Sequence, residues 1–243
     1  MPRLGGMARP DGVVIVSERY WAFAGVDGAV REGTMPRPPR ALTQIPFARG
    51  LVRLGLALAP LLSARGAARP RERLFVLAAL TLPFSFVALP SGWDLPAGAA
   101  VTVALLATLL RGRALSLHGA EHRAIAAAEE RRLGATWDDE ARPTRFSPRC
   151  GTNFAAIALP TALAAQEVWP LTPALWTPLV VTSLSLALSM ELWRIVQAAG
   201  RGPLRLFLLP GLALQRLTTR EPRPDETRVA LTAVASVLRR ELA

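Results

Sequence analysis

Leu74 to Gly92 reads L-F-V-L-A-A-L-T-L-P-F-S-F-V-A-L-P-S-G, an uninterrupted stretch without a charge. Its length is close to the roughly 20 residues with which an α-helix crosses the hydrocarbon core of a bilayer. Leu95 to Leu110 is also uncharged, and together the two predict a helical hairpin turning at Pro90-Ser91-Gly92-Trp93-Asp94. Phe154 to Ala165 with its flanks and Leu175 to Val196 predict a second pair, turning between Glu167 and Pro173. Trp93, Trp169 and Trp176 fall where amphipathic rings sit at a membrane interface. The expected fold is therefore an all-α integral membrane bundle of about four transmembrane helices plus interfacial helices, with a small N-terminal β element.

Composition agrees with an apolar chain whose charge is segregated. Hydrophobic residues make up 51%, charged residues 19%, the mean hydropathy is +0.29 and the formal charge is +11. Every basic residue is arginine, and no Arg-rich stretch is interleaved with stacking aromatics, so a nucleic-acid partner is not expected. The turns Ser91 to Pro96 and Gln166 to Pro173 hold no arginine. Arg65, Arg69, Arg71 and Arg73 precede the first span, Arg111 and Arg113 follow the second, and Arg194, Arg201 and Arg205 flank the last. Basic residues stay cytoplasmic, which predicts a multi-pass protein of the bacterial cytoplasmic (inner) membrane with both termini inside. The bilayer, and with it anionic lipid or other membrane proteins, are the expected partners.

Outward from the spans, residues 1–40 predict a cytoplasmic β-hairpin-like segment, with strands at Val13 to Val16, Tyr20 to Ala24 and Ala29 to Arg31. Residues 41–73 predict an interfacial amphipathic helix, Phe47 to Leu62 with Arg49 and Arg53 on one face, and a basic linker. The transmembrane hairpins occupy 74–111 and 152–198, separated by a cytoplasmic loop, 112–151. Residues 199–243 predict an interfacial segment and a C-terminal amphipathic helix from Thr227 to Leu242, whose Val229, Val234, Val237 and Leu238 require a partner surface.

Both histidines of the chain stand in one pentapeptide, His118-Gly119-Ala120-Glu121-His122. On a helix, positions i and i+4 share a face, so both imidazoles can reach one ion with the i+3 carboxylate beside them. Such a pair with an adjacent Glu acting on water is the logic of H-x-x-E-H metallohydrolases. The single cysteine, Cys150, opens the third span in Pro148-Arg149-Cys150-Gly151 and is a candidate third ligand, or a nucleophile paired with histidine. Glu129 lies two turns beyond His122 as a ligand, a supporting acid or a solvated one. Glu191, a carboxylate inside the last apolar run, is either a metal ligand or an ion-pair partner of Arg194 or another arginine. No P-loop, Gly-rich dinucleotide fingerprint, C-x-x-C or G-x-S-x-G is present.

These residues carry a resemblance over most of the chain. Leu117 to Ala128 followed by Glu129 is similar to the Y-H-G-A-E-H-K segment of the YqhQ family of bacterial membrane proteins, and Ser147 to Phe154 to its R-C-G-T-x-F segment. Met190-Glu191-Leu192 resembles its Y-E-(I/L) element. Pro210 to Pro222 resembles its P-G-L-x-L-Q-x-x-T-T-x-E-P signature. The family's opening G-G-Q-A-V-I-E-G-V-M-M-R is met here only near its end, at Gly5 to Pro10, and Ser147-Pro148 replaces a histidine before R-C-G. The resemblance implies a metal-dependent membrane protein, with Arg149, Arg194, Gln215, Thr218 and Thr219 among the residues supporting the site. The expected function is a membrane-embedded hydrolase, a peptidase in one form. Zn²⁺ or another divalent metal would sit on His118 and His122 plus Cys150 or Glu191, with Glu121 as general base. The alternatives are a non-catalytic scaffold or assembly factor with a structural polar site, and a transporter relaying through Glu191.

Overall fold

The computed structural model describes residues 1–63, 66–82, 93, 96–98, 100–101, 103–104, 112–168, 176–198 and 202–243. Residues 83–92, 95, 99, 102 and 105–110 of the expected spans 74–92 and 95–110, their connecting turn apart from Trp93, and Trp169 with most of the Glu167 to Pro173 turn lie outside those residues.

Four antiparallel strands in the order β1-β2-β3-β4 open the chain: β1 (Gly5–Arg9), β2 (Gly12–Val16), β3 (Tyr20–Gly25) and β4 (Val30–Thr34). Pro10-Asp11 closes the first hairpin, with Arg9 opposite Gly12. The β-branched run Val13-Val14-Ile15-Val16 suits a strand covered on both faces, and Val13, Val14 and Ile15 are wholly buried. Val14, Trp21 and Phe23 face a small cluster closed by Ala67. Val13, Ile15, Ala22 and Ala24 face the main core.

That main core is made with two helices distant in sequence, α4 (Ala114–Glu129) and α9 (Pro224–Leu242). Val234 and Val237 are fully buried there and Leu238 nearly so, with Val229 packed alongside, so the apolar face of α9 finds its partner on the sheet. The N-terminus of α9 is closed by Glu226, whose carboxylate accepts from the Arg223 amide at 3.0 Å and the Ser116 hydroxyl at 2.8 Å. Between these come α1 (Arg40–Gln44), α2 (Ala48–Leu62), α3 (Pro70–Thr81) and the short α5 (Leu133–Trp137). Arg9 ties α3 to the underside of the sheet through Glu72 at 2.7 Å.

A second, all-helical group consists of α6 (Gly151–Val168), α7 (Thr177–Ala198), a 3₁₀ turn (Pro203–Leu208) and α8 (Leu209–Thr218), with α2 lying against α7. Gly50 lets α2 approach closely: a Cβ there would stand 2.6 Å from Met190 Cβ.

The architecture corrects the expected four-span all-α bundle. Among the described residues one stretch, Leu179–Ala198 with mean hydropathy 1.5, is long and apolar enough to cross a membrane, and a four-stranded sheet contributes Val13, Ile15, Ala22 and Ala24 to the main core. The apolar runs misled because apolar character also serves a protein core. In the expected second pair, α6 carries buried Asn153 and Thr161, has Gln166 and Glu167 near its end, and packs against α7 and α8. The multi-pass expectation accordingly reduces to this one helix.

Candidate metal centre

Helix α4 provides the frame of the site. His118 and His122 stand one turn apart with ring centroids 4.5 Å from each other, at 65° between planes. Each imidazole is aimed by a main-chain carbonyl from a different segment: His118 Nδ1 lies 2.8 Å from Thr218 O, and His122 Nδ1 lies 2.7 Å from Arg145 O. A carbonyl only accepts, so Nδ1 carries the proton on both rings and Nε2 presents its lone pair. This is the arrangement in which a metal-ligating histidine is held by its other nitrogen.

Cys150, immediately before α6, completes the group. Its Sγ lies 3.3 Å from His118 Nε2 and accepts a contact from Thr152 Oγ1 at 3.3 Å. The donor atoms of His118, His122 and Cys150 all lie within 4.8 Å of one another. Tetrahedral ligands with bonds of about 2.0–2.3 Å stand roughly 3.3–3.8 Å apart; the 3.3 Å between Cys150 Sγ and His118 Nε2 falls in that range, and two imidazole nitrogens and a sulfur grouped within 4.8 Å could hold a zinc-like ion.

The loop carrying Cys150 is fixed from α8. Gln215, fully buried, donates to Ser147 O at 2.7 Å and accepts from Ser147 N at 2.9 Å, a two-bond clamp on one residue. Asn153 adds a bond to the same carbonyl at 2.9 Å. Thr219 Oγ1 donates to the Gln215 carbonyl at 2.6 Å. Gly119 allows the chain after α8 to reach α4, since a Cβ there would stand 2.2 Å from Arg220 O; the Arg220 amide donates to Leu115 O at 2.9 Å. Glu221 binds Arg123 at 2.6 Å and also Arg145, whose carbonyl holds His122. Burial pushes the Glu221 carboxyl up, but Arg123 and Arg145 outweigh it and hold it below the usual carboxylate range.

Glu121 is buried between α4 and strand β1. It sits where Gly6 has no side chain: a Cβ on Gly6 would meet its Cγ and Oε1 at 2.7 Å. Burial pushes its carboxyl up to about 7, against the smaller opposing effects of His118 and a hydrogen bond with the Ala8 backbone. The three candidate ligands and Glu121 line one cavity of about 370 Å³, closed on its far side by Leu4, Gly5, Gly6, Met7 and Ala8. Among the described residues Glu121 is the one carboxylate in that lining.

Of the other residues singled out in the sequence, Glu191 stands apart from this group. It accepts from Arg49 Nε at 2.7 Å and Nη2 at 2.6 Å, from Arg194 at 3.2 Å and from the Phe47 amide at 3.3 Å. Glu129 pairs with Arg149. Sequence reasoning missed the contribution of β1, whose glycines hide the alternation of a strand. It also missed the role of Gly119, which counts only as a helix-weakening residue until the 218–222 segment is seen against it. The Gly5-Gly6 pair was the available signal, because glycine in a strand often marks close approach.

An edge strand, a two-helix layer and an apolar helical group thus meet around a His-His-Cys cluster, which defines a class of α+β protein with a group able to hold a metal ion and, among the described residues, one helix long and apolar enough to cross a membrane. A family model described as a protein of unknown function, DUF1385, matches residues 102–240, and the chain belongs to that family. It is similar to the uncharacterized protein YqhQ of Bacillus subtilis (strain 168), with 30% identity over 139 residues, which make up 55% of this chain and 43% of that protein. The match therefore spans less than half of the relative's length. No solved structure matches.

Proposed function

We propose that this cavity is the catalytic site of a membrane-attached, metal-dependent hydrolase. The observation that carries the reading is the pair of Nδ1–carbonyl bonds, which leave two Nε2 atoms and the Cys150 sulfur directed at one place. Three protein ligands beside a cavity are the mark of a catalytic rather than a structural zinc site, which takes four. A divalent ion held there would supply Lewis acidity toward water and a polarised carbonyl.

The chain's own residues supply the rest. Glu121 is placed to take and return a proton at the cavity wall. Gly5 to Ala8 of β1, an edge strand, offer main-chain groups to an extended peptide, so a peptide is the favoured substrate class. Attachment to a membrane is supported by α7, where Leu184, Leu188, Leu192 and Ile195 form an exposed apolar stripe at helical spacing.

The test is elemental analysis of the detergent-purified protein, wild type against a His118→Ala/His122→Ala double variant, followed by cobalt substitution. About one metal per chain, lost in the double variant, with a thiolate-to-cobalt charge-transfer band lost in Cys150→Ser, establishes the ligands. Azide perturbing the cobalt ligand-field bands shows an open position, and a spectrum indifferent to azide favours the scaffold reading. A second chemistry is favoured by one contact, the 3.3 Å approach of Cys150 Sγ to His118 Nε2, which also suits a thiol nucleophile and its base. Absence of metal after reconstitution, with rapid alkylation of Cys150 that depends on His118, would select it.

A further inference from the structure

A second cavity, of about 490 Å³, lies on the opposite side of Arg149 from the histidines. Five arginines line it, Arg3, Arg49, Arg53, Arg149 and Arg194, against a single carboxylate, Glu191. Glu191 is already engaged by Arg49 and Arg194, and Arg149 is paired with Glu129 outside the cavity. Arg3 and Arg53 have no carboxylate within ion-pair distance among the described residues, so the cavity keeps an excess of positive charge that the fold does not neutralise.

The Arg49–Glu191–Arg194 network serves as the floor. Its bidentate Arg49 bond holds α2 to α7 at the point where Gly50 brings the helices together, and this fixes Arg53 one turn further along the same face of α2. Forked guanidinium groups from four different segments lining one space are the arrangement that recognises phosphate. Trp193 also lines the cavity, at the end of α7 where the apolar stripe Leu184, Leu188, Leu192, Ile195 runs out. Tryptophan and arginine at that level of an apolar helix are what a lipid headgroup region selects.

We propose that this cavity binds a phosphate-bearing anion, either the headgroup of an anionic phospholipid or a soluble phosphate. The site is separate from the His-His-Cys cluster and stands whether or not that cluster holds metal.

The experiment is isothermal titration of the full chain in detergent with dihexanoyl phosphatidylglycerol, dihexanoyl phosphatidylcholine and inorganic phosphate, for the wild type and for Arg3→Gln/Arg53→Gln. These two positions leave the Glu191 network intact. A charge near an anionic surface is worth about fivefold in affinity, so the double variant binds roughly tenfold or more weakly. Phosphatidylglycerol binding well above phosphatidylcholine and weakened in the variant identifies the lipid headgroup. Phosphate binding weakened in the variant, with no difference between the lipids, identifies a soluble anion. Equal binding of wild type and variant to every probe, or no binding of phosphatidylglycerol and phosphate, overturns the proposal. Arg53→Lys, which keeps the charge, retains most of the affinity, and its failure to do so while folded would point to loss of packing instead.

Discussion

Replacing Gly119 by alanine sets two opposed effects against each other, and the structure decides the sign. In a helix interior alanine is favoured over glycine by about 1 kcal/mol, which is what a substitution in open space would deliver. At Gly119 the new methyl carbon would stand 2.2 Å from the Arg220 carbonyl oxygen, a backbone atom that cannot rotate away. Relief requires the 218–222 segment to move off α4 by more than an ångström. Overpacking of this kind costs about 1–3 kcal/mol, and loss of the Arg220 amide bond to Leu115 O adds about 1 kcal/mol. After the propensity gain, the net is a destabilisation of about 1–3 kcal/mol. The same movement withdraws the Thr218 carbonyl from His118 Nδ1, and loss of such a supporting partner weakens metal binding roughly 10–100-fold. Thermal unfolding alongside a competitive chelator titration measures both. The control is Gly55→Ala, in α2 with nothing within 4 Å of the added Cβ, which is expected to stabilise by about 0.5–1 kcal/mol. A Gly119→Ala protein as stable as Gly55→Ala, with unchanged metal affinity, would refute the reasoning.

Gln215→Ala removes both bonds to Ser147 and leaves its amide without that acceptor, while Ser147 O keeps Asn153 and the Cys150 amide, so a loss of about 1–2 kcal/mol is expected in denaturant unfolding, with metal affinity down by at least tenfold. Leu117→Ala, at a fully buried position facing the sheet, should cost about 2–5 kcal/mol without altering the cobalt spectrum of the remaining folded protein. Glu221 is depressed in the folded state by Arg123 and Arg145. Its stabilisation is therefore present above the usual glutamate range and lost as pH falls through the lower folded value. Glu221→Gln should flatten the acid limb of a stability-against-pH curve below about pH 5, and an unchanged limb would show that other carboxylates set it.

The His-His-Cys cluster was legible as a group of side chains because its chemistry is local: His118 and His122 share a helix face, and Cys150 is the one cysteine in the chain. The amphipathic C-terminal helix and three of the strands were legible for the same reason, since periodicity and β-branched runs are short-range signals. Strand β1 was hidden because Gly5, Gly6 and Pro10 remove the alternation by which a strand is recognised. Most costly was the hydropathy reading, which measures apolar content and not what covers it. In the expected second pair, α6 holds buried Asn153 and Thr161 and is packed against α7 and α8, and no window along the sequence records that pairing. Glu191 shows the same limit at a single residue. Its burial in an apolar run was visible, while Arg49, 142 positions away, was one of many candidate partners.

The placement of the cluster explains why its supporting residues are spread over so much of the chain. His118 and His122 belong to the helix that closes the sheet, whereas Cys150 immediately precedes α6 and the carbonyl of Thr218 ends α8, both in the apolar group. Neither half holds a complete set of donors. The site exists only when the helical group is docked on the sheet, and Gly119, Gly211 and Gln215 are what permit the docking to be close. At Gly211 a Cβ would lie 2.1 Å from Asn153 Oδ1. An ion that binds all three donors therefore stabilises the docked arrangement over any opened one, by the general rule that a ligand favours the state that binds it. The motif around Gln215, Thr218 and Thr219 contributes no side-chain ligand to the cluster, yet it determines where the cysteine loop and one imidazole point, which makes it part of the centre in every sense except coordination.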